Sequence, residues 1–208
     1  MAAAQRKRPM YLVFALLGAL ALGVTGSYRG CDDVTLYRTP VDASLFTQGI
    51  ADEADRALVA ARFQAYLQAF DAAKARGFPL AVAGLLLGGA LVFAAMRALG
   101  GNGGARTALV QLVIAQAGAN AASYWLLRDV SEAKLRLDEA SWTAESHQRI
   151  TDRRKADDEA RRGARVLRAA HPITLAMRTL GSALVVVALT RRRTRALLDA
   201  PAEAVKDP

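Results

Sequence analysis

The sequence predicts an all-α, polytopic membrane protein with four transmembrane helices and helical extracytoplasmic loops. Residues 9–28, 77–96 and 107–127 carry no charge, and residues 169–190 carry only Arg178. A helix rises about 1.5 Å per residue, so about 20 apolar residues are needed to cross the ~30 Å hydrocarbon core of a bilayer. Soluble amphipathic helices lack such gaps, because charged residues recur on their solvent-facing side. The uncharged stretches therefore favour a membrane over a soluble core.

Proline and glycine set the limits of the four predicted helices. Pro79 and Pro172 stand in the first turn of the second and fourth stretches, where the missing N–H costs a helix nothing. Between the second and third stretches, four of the five residues at 100–104 are glycine, which indicates a tight turn and a helical hairpin. We place the transmembrane helices at residues 10–27, 78–100, 107–127 and 172–190.

Basic residues are concentrated in the segments on one side of these helices, at residues 1–9, 101–106 and 191–208. Together with Arg97, these segments carry ten basic and three acidic residues. The two longer loops, at 28–77 and 128–171, together carry 17 basic and 16 acidic residues. Short segments rich in Lys and Arg stay in the cytoplasm. We therefore expect a multi-pass protein of a bacterial inner or plasma membrane, with both termini cytoplasmic and both long loops extracytoplasmic.

The overall composition excludes two classes of protein and removes the main argument for a third. A hydrophobic content of 53% excludes a disordered chain, and a single cysteine excludes a disulfide-stapled secreted scaffold. A net charge of +9 is typical of proteins that bind nucleic acid. Here the excess lies at helix ends that face anionic lipid, where each basic residue contributes ~1 kcal/mol of attraction. The predicted partner is the lipid bilayer, and no nucleic acid is expected.

The first span has a second interpretation. A basic start followed by an apolar stretch also describes a secretory signal peptide, and residues 24–26 would serve as its cleavage site. The apolar run is long for a signal peptide, which favours a retained anchor. Cleavage would remove one helix without changing the orientation of the other three.

The first loop is predicted to contain an amphipathic helix over residues 50–76. Acidic residues lie at its start and basic residues near its end, the order that a helix dipole favours, and Gly77 is expected to stop it. Four apolar residues recur every three or four positions and form one stripe: Val59, Phe63, Tyr66 and Phe70. This interaction stripe either packs on the neighbouring loop helix or forms a docking surface for a partner or for the outer leaflet.

The second loop, residues 128–171, is predicted to be charged and helical. Opposite charges stand four residues apart at several points, and a ladder of such pairs can keep a solvated helix formed. The turn between two antiparallel helices is expected around residues 146–152. The predicted pairs are Glu132/Arg136, Arg153/Asp157, Arg154/Asp158, Lys155/Glu159, Asp157/Arg161 and Asp158/Arg162.

Arg178 is the ionisable residue predicted to lie inside a span, where a charge is expensive and faces a partner or water. At a similar depth, the third span carries polar residues on one helix face: Gln116, Asn120 and Ser123. Arg178 either hydrogen-bonds to Asn120 or Gln116 or extends outward to the membrane interface, and so joins the two spans, or it contributes to a polar binding pocket or an ion path.

No catalytic residue, cofactor site or metal site is predicted. The two histidines, His147 and His171, have no second ligand at metal-binding spacing. Cys31 is expected outside the membrane, either as a thiol or in an intermolecular bridge.

The predicted function is a non-enzymatic interaction or scaffold component of a bacterial envelope that acts through its helical outer loops. Its partner would be another membrane protein or a second copy of the chain. The alternative is a transporter-like or channel-like subunit that uses the polar cluster around Arg178, Asn120 and Gln116.

Overall fold

The computed structural model describes residues 9–39, 44–100, 105–192 and 194, and these residues form helices and turns without any strand. The prediction of an all-helical chain is confirmed. The seven helices are α1 (Met10–Arg38), α2 (Ser44–Thr47), α3 (Glu53–Ala72), α4 (Lys74–Leu99), α5 (Ala105–Leu126), α6 (Arg128–Arg149) and α7 (Arg153–Thr190).

The chain divides into two compact units. The first unit comprises residues 1–32, 81–120 and 177–208, and the second comprises residues 33–80 and 121–176. The helices α1, α4, α5 and α7 each contribute residues to both units.

The core of the first unit is made by α1, α4, α5 and α7. Large aliphatic side chains from all four helices are fully buried in a single cluster, among them Leu12, Leu16, Leu91, Leu109 and Leu189. Alanines of α1 and α4 fill the spaces between them. These four helices therefore share one apolar core.

Helices α1 and α4 approach each other so closely that glycine is required at the contact. A β-carbon on Gly30 would lie 2.5 Å from the backbone nitrogen of Leu85, and one on Gly23 would lie 2.9 Å from the carbonyl oxygen of Gly88. The sequence also places a small residue at Gly84, but that position faces open space. The contact thus uses one face of α4, on which Gly88 touches the α1 backbone.

Three helices, α1, α4 and α7, are long and apolar enough to cross a membrane. This length and composition are compatible with a multi-pass membrane protein. The fourth predicted span, α5, is not among these three helices, and its uncharged stretch contains Gln111, Gln116 and Asn120.

The core of the second unit lies between α3 and α6. Val59 and Phe63 of α3 are buried against Leu137, Ala140 and Ala144 of α6. The ring of Phe46, in the short helix α2, stacks on Phe63 with centroids 4.6 Å apart.

The helix α3, Glu53–Ala72, lies inside the predicted range of residues 50–76 but is shorter at both ends. Asp52 caps the helix, since its carboxylate accepts hydrogen bonds from the backbone N–H groups of Ala54 and Asp55 at 2.9 and 3.1 Å. The helix ends at Ala72, and α4 then runs through Gly77 and Pro79. The predicted stop at Gly77 is therefore wrong.

The charged loop and the fourth span are joined in one continuous helix. The turn between α6 and α7 occupies residues 150–152, inside the predicted range. From there α7 continues through Gly163 and Pro172. The prediction that Pro79 and Pro172 stand in the first turn of a helix is thus wrong, because α4 begins at Lys74 and α7 at Arg153, and both prolines lie inside a helix.

Candidate functional site

The interaction stripe on α3 is buried inside the second unit. Val59 and Phe63 have no more than 1% of their surface exposed, and Phe70 stacks on Tyr37 of α1 with centroids 4.0 Å apart. Tyr66 packs beside them and is partly exposed. This arrangement corresponds to the packing alternative, and it leaves no continuous apolar stripe for a partner.

The polar residues predicted around Arg178 all lie on α5. Gln116 is 3% exposed and packs against α1, where a β-carbon on Gly26 would lie 2.7 Å from its amide nitrogen. Its amide oxygen is buried without a hydrogen-bond partner among the described residues. Asn120 belongs to the first unit and Ser123 to the second.

Arg178 is half-buried on α7, and its guanidinium is repelled by the positive charge of Arg29 on α1. Within the described part of the chain, no hydrogen bond or ion pair joins it to Gln116 or Asn120. A pocket made by Arg178, Asn120, Gln116 and Ser123 therefore stays a prediction.

Charged residues of the second unit pair both along a helix, as Arg128 with Glu132 and Lys134 with Asp138, and between helices. None of the six predicted pairs forms in the described residues. Asp157 and Glu159 of α7 instead reach α6, where Asp157 contacts His147 and Glu159 pairs with Arg149 at 3.5 Å. Arg153 pairs with Asp52 of α3 at 3.4 Å. Pairs within a helix are worth only ~0.2–0.5 kcal/mol, so tertiary contacts override them.

His147 is the centre of this network. Its Nδ1 lies 2.7 Å from a carboxylate oxygen of Asp55 on α3, and its Nε2 lies 2.9 Å from a carboxylate oxygen of Asp157 on α7. The side chains of His147 and Asp55 are each 8% exposed, whereas that of Asp157 is 48% exposed. One imidazole thus joins three helices, and we call these three residues the histidine clasp.

Further contacts hold the same helix ends together. The Gln148 amide donates a hydrogen bond to the carbonyl oxygen of Gly49 at 2.6 Å. Arg56 donates to the carbonyl oxygen of Ile50 at 2.6 and 3.0 Å. The start of α3, the end of α6 and the start of α7 are therefore joined by polar contacts.

The histidine clasp can hold a proton. An imidazole can donate from both ring nitrogens only when it is protonated, and two carboxylates require two donors. The hydrogen bond from Asp157 raises the pKa of His147 above its ordinary value of 6.5, burial acts in the opposite direction, and Asp55 raises the pKa further. In the part of the chain that the structure describes, no group of three or more His, Cys, Asp or Glu side chains is arranged to hold a metal ion.

Sequence reasoning missed the clasp because its members are far apart in the chain. Asp55 and His147 are separated by 92 positions, and only the fold brings them together. The one local signal was a histidine near the end of a predicted helix, ten residues before Asp157.

Beside the clasp, α3, α6 and α7 enclose a cleft of about 370 Å³. Its two acidic residues are engaged, since Asp157 binds His147 and Glu139 accepts two hydrogen bonds from Arg168 at 2.5 and 3.0 Å. Arg62 and Arg136 have no ion-pair partner among the described residues. The charged lining of this arginine cleft comprises Arg62, Arg136, Glu139, Asp157 and Arg161, and its apolar lining includes Leu58, Ala140, Ala160 and Ala164.

Comparison of the chain with protein-family models, with curated proteins and with solved structures finds no match.

Proposed function

We propose that this chain is a four-span membrane protein with both termini in the cytoplasm and the second unit on the extracytoplasmic side. The supporting observation is that large apolar side chains on all four helices of the first unit point away from its core. Such a surface is costly in water and matches lipid tails. The exposed residues include Met10, Phe14, Leu17, Val24, Leu86, Phe93, Met96, Ile114, Met177, Leu180, Leu184 and Val187.

The packing of α5 supports its inclusion as a fourth span. Leu109 and Val113 are buried in the same core as side chains of the three helices that are long and apolar enough to cross a membrane. Gln116 is turned into the protein, whereas Ile114 is exposed. Polar residues of membrane helices face the bundle interior, so the buried position of Gln116 fits a membrane span.

Contacts at the basic helix ends support the orientation. The guanidinium of Arg191 lies 5.4 Å from the centre of the Tyr11 ring, and that of Arg97 lies 5.9 Å from the centre of the Phe93 ring. Aromatic and basic residues are enriched at membrane interfaces, with basic residues favoured on the cytoplasmic side.

We further propose that the protein is a non-enzymatic interaction component of a bacterial envelope, and that its partner places an acidic segment in the arginine cleft. The observation that supports this role is that both carboxylates of the cleft have partners within the protein, whereas Arg62 and Arg136 have no ion-pair partner among the described residues. Exposed guanidinium groups suit planar carboxylates, which they bind through two parallel hydrogen bonds. We therefore assign to the arginine cleft the partner-docking role that the sequence suggested for the interaction stripe.

A defined acidic probe tests this role. A fluorescent hexaglutamate peptide is titrated with the detergent-solubilised protein at low salt, and binding is followed by fluorescence anisotropy. Because two positive charges become negative, Arg62→Glu combined with Arg136→Glu should weaken binding by roughly tenfold or more. The matched control Arg154→Glu reverses an exposed charge outside the cleft and should leave the affinity nearly unchanged. Equal weakening by the control, or no binding to the wild type, would contradict the proposal.

The alternative function is a channel-like or transporter-like subunit. It is favoured by the buried amide oxygen of Gln116, which has no hydrogen-bond partner among the described residues. Flux measured in liposomes distinguishes the two proposals. Under the alternative, the wild type conducts anions or solutes and Arg178→Leu abolishes conduction. Under the interaction role, neither protein conducts.

A further inference from the structure

The histidine clasp is the place where a single titratable side chain connects three helices. Asp55 and His147 are both almost fully buried, so α3 and α6 are joined by an interior contact. Asp157 is half-exposed, so the contact to α7 lies at the surface. The two hydrogen bonds of the imidazole are therefore unequal in their access to water.

We propose that Asp55, His147 and Asp157 form a proton-binding site, and that loss of its proton releases the start of α7 from α3 and α6. The site holds the proton on an imidazolium whose two N–H groups donate to the two carboxylates. This device goes beyond the proposed partner-binding role and does not depend on how the chain is threaded through a membrane.

The order of release follows from burial. A neutral imidazole has one N–H, so its other ring nitrogen carries a lone pair, and here that lone pair faces a carboxylate. A buried carboxylate without a donor is costly, whereas an exposed one is hydrated by water. The remaining N–H therefore stays on Nδ1 with Asp55. The contact between Nε2 and Asp157 becomes repulsive and opens, and Asp157 turns to solvent.

The other charged groups around the clasp have partners of their own. On α3, Asp52 pairs with Arg153 of α7, and Arg153 opposes the positive charge on His147. On α6, Arg149 pairs with Glu159 of α7. Arg161, which lines the adjoining cleft with Asp157, pairs with Asp158. The ion pairs to Arg153 and Glu159 contain groups whose ordinary pKa values lie far from neutrality, so His147 is the group in this network whose ordinary pKa lies nearest to neutrality.

Trp142 is a built-in reporter of the contact between α6 and α7. Its indole packs on Gly163 of α7, and its ring nitrogen is buried without a hydrogen-bond partner in the described residues. The chain has two tryptophans, so Trp125→Phe leaves Trp142 as the sole source of indole fluorescence.

The experiment follows Trp142 emission and acrylamide quenching in the full-length Trp125→Phe protein in detergent, from about pH 5 to about pH 9. We expect protected, blue-shifted emission at low pH, and a red shift with stronger quenching as the pH passes the pKa of His147. Proton NMR of the imidazole in a His171→Gln background measures that pKa directly in an otherwise unaltered clasp.

Two carboxylate variants at adjacent positions of α7 provide the test and its control. Asp157→Asn removes the strongest attraction for the proton, so both the fluorescence midpoint and the His147 pKa should move to lower pH. Asp158→Asn removes a neighbouring carboxylate outside the clasp, and both values should stay where they are. Three results would overturn the proposal. Trp142 emission in the protein with an unaltered clasp would not change with pH, His147 would titrate at its ordinary pKa, or Asp157→Asn would have the same fluorescence midpoint as the protein with Asp157. The His147 pKa measured by NMR in the unaltered clasp tests the proposal even where a carboxylate variant does not fold.

Discussion

The indole ring of Trp142 lies directly against Gly163, so that a β-carbon at position 163 would overlap the indole nitrogen and its neighbouring ring carbons. The contact joins α6 to α7 without a hydrogen bond to that nitrogen from the described residues. Glycine at this position therefore allows a bulky aromatic side chain to occupy the space next to the helix backbone.

Replacement of Gly163 by alanine should destabilise the protein, although alanine is the better helix former. Inserting a methyl group into a packed contact costs about 1–3 kcal/mol, which exceeds the ~0.5–1 kcal/mol that alanine gains over glycine in a helix. Gly181, on the same helix, has nothing near its absent β-carbon, so Gly181→Ala should be neutral or stabilising. Thermal unfolding in detergent measures both. A stabilised Gly163→Ala would show that the indole does not occupy this space.

Two adjacent glycines of α4 should respond in opposite directions. A β-carbon on Gly88 would collide with the backbone of α1 at Ser27, whereas Gly89 faces open space. Gly88→Ala should therefore weaken the first unit by about 1–3 kcal/mol, and Gly89→Ala should not. Reversible unfolding by added denaturing detergent gives the comparison. Equal effects at the two positions would argue against the close contact between α1 and α4.

Truncation of the α3 stripe distinguishes a packed core from a docking surface. Phe63 is buried against α6 and stacks on Phe46, so Phe63→Ala should cost about 3–5 kcal/mol of folding free energy. Leu58, on the same helix, is 41% exposed, and Leu58→Ala should cost much less. Chemical denaturation in detergent measures both variants. A stripe that serves as a free docking surface would instead leave stability unchanged in Phe63→Ala.

Several features were predictable because they are local in the chain. Charge-free stretches identify apolar helices, and Asp52 followed by acidic residues identifies the start of α3. The stripe on α3 follows from helical periodicity alone. Each of these signals lies within one helix and needs no knowledge of its neighbours.

Other features depend on contacts between distant segments. Gly77 was expected to end a helix, but the absence of its side chain serves packing instead, since a β-carbon there would collide with the hydroxyl of Tyr37. The predicted charge ladder failed for the same reason, because Asp157 and Glu159 bind groups on α6. The histidine clasp needs three helices in place, so no spacing in the sequence reveals it.

The stability of the second unit should fall as the pH rises. The pKa of His147 is raised in the folded protein, first through Asp157 and then through Asp55. A raised pKa means that the folded state binds the proton more tightly, so this contribution is fully present below the unfolded pKa of 6.5 and is lost as the pH passes the folded pKa. The unfolding temperature should decrease over that range in the wild type and in His171→Gln, and should be flatter in His147→Asn. An unfolding temperature that increases with pH would contradict this sign.

The threading of the chain through the membrane is tested most directly by the accessibility of single cysteines on the two sides of α5. In a Cys31→Ser background, cysteines replace Asn102 and Lys134 one at a time, and intact cells receive a membrane-impermeant maleimide before and after permeabilisation. We predict that position 134 is labelled in intact cells and that position 102 is labelled only after permeabilisation. Labelling of both positions in intact cells, or of neither, would show that α5 does not cross the membrane and would contradict the four-span account.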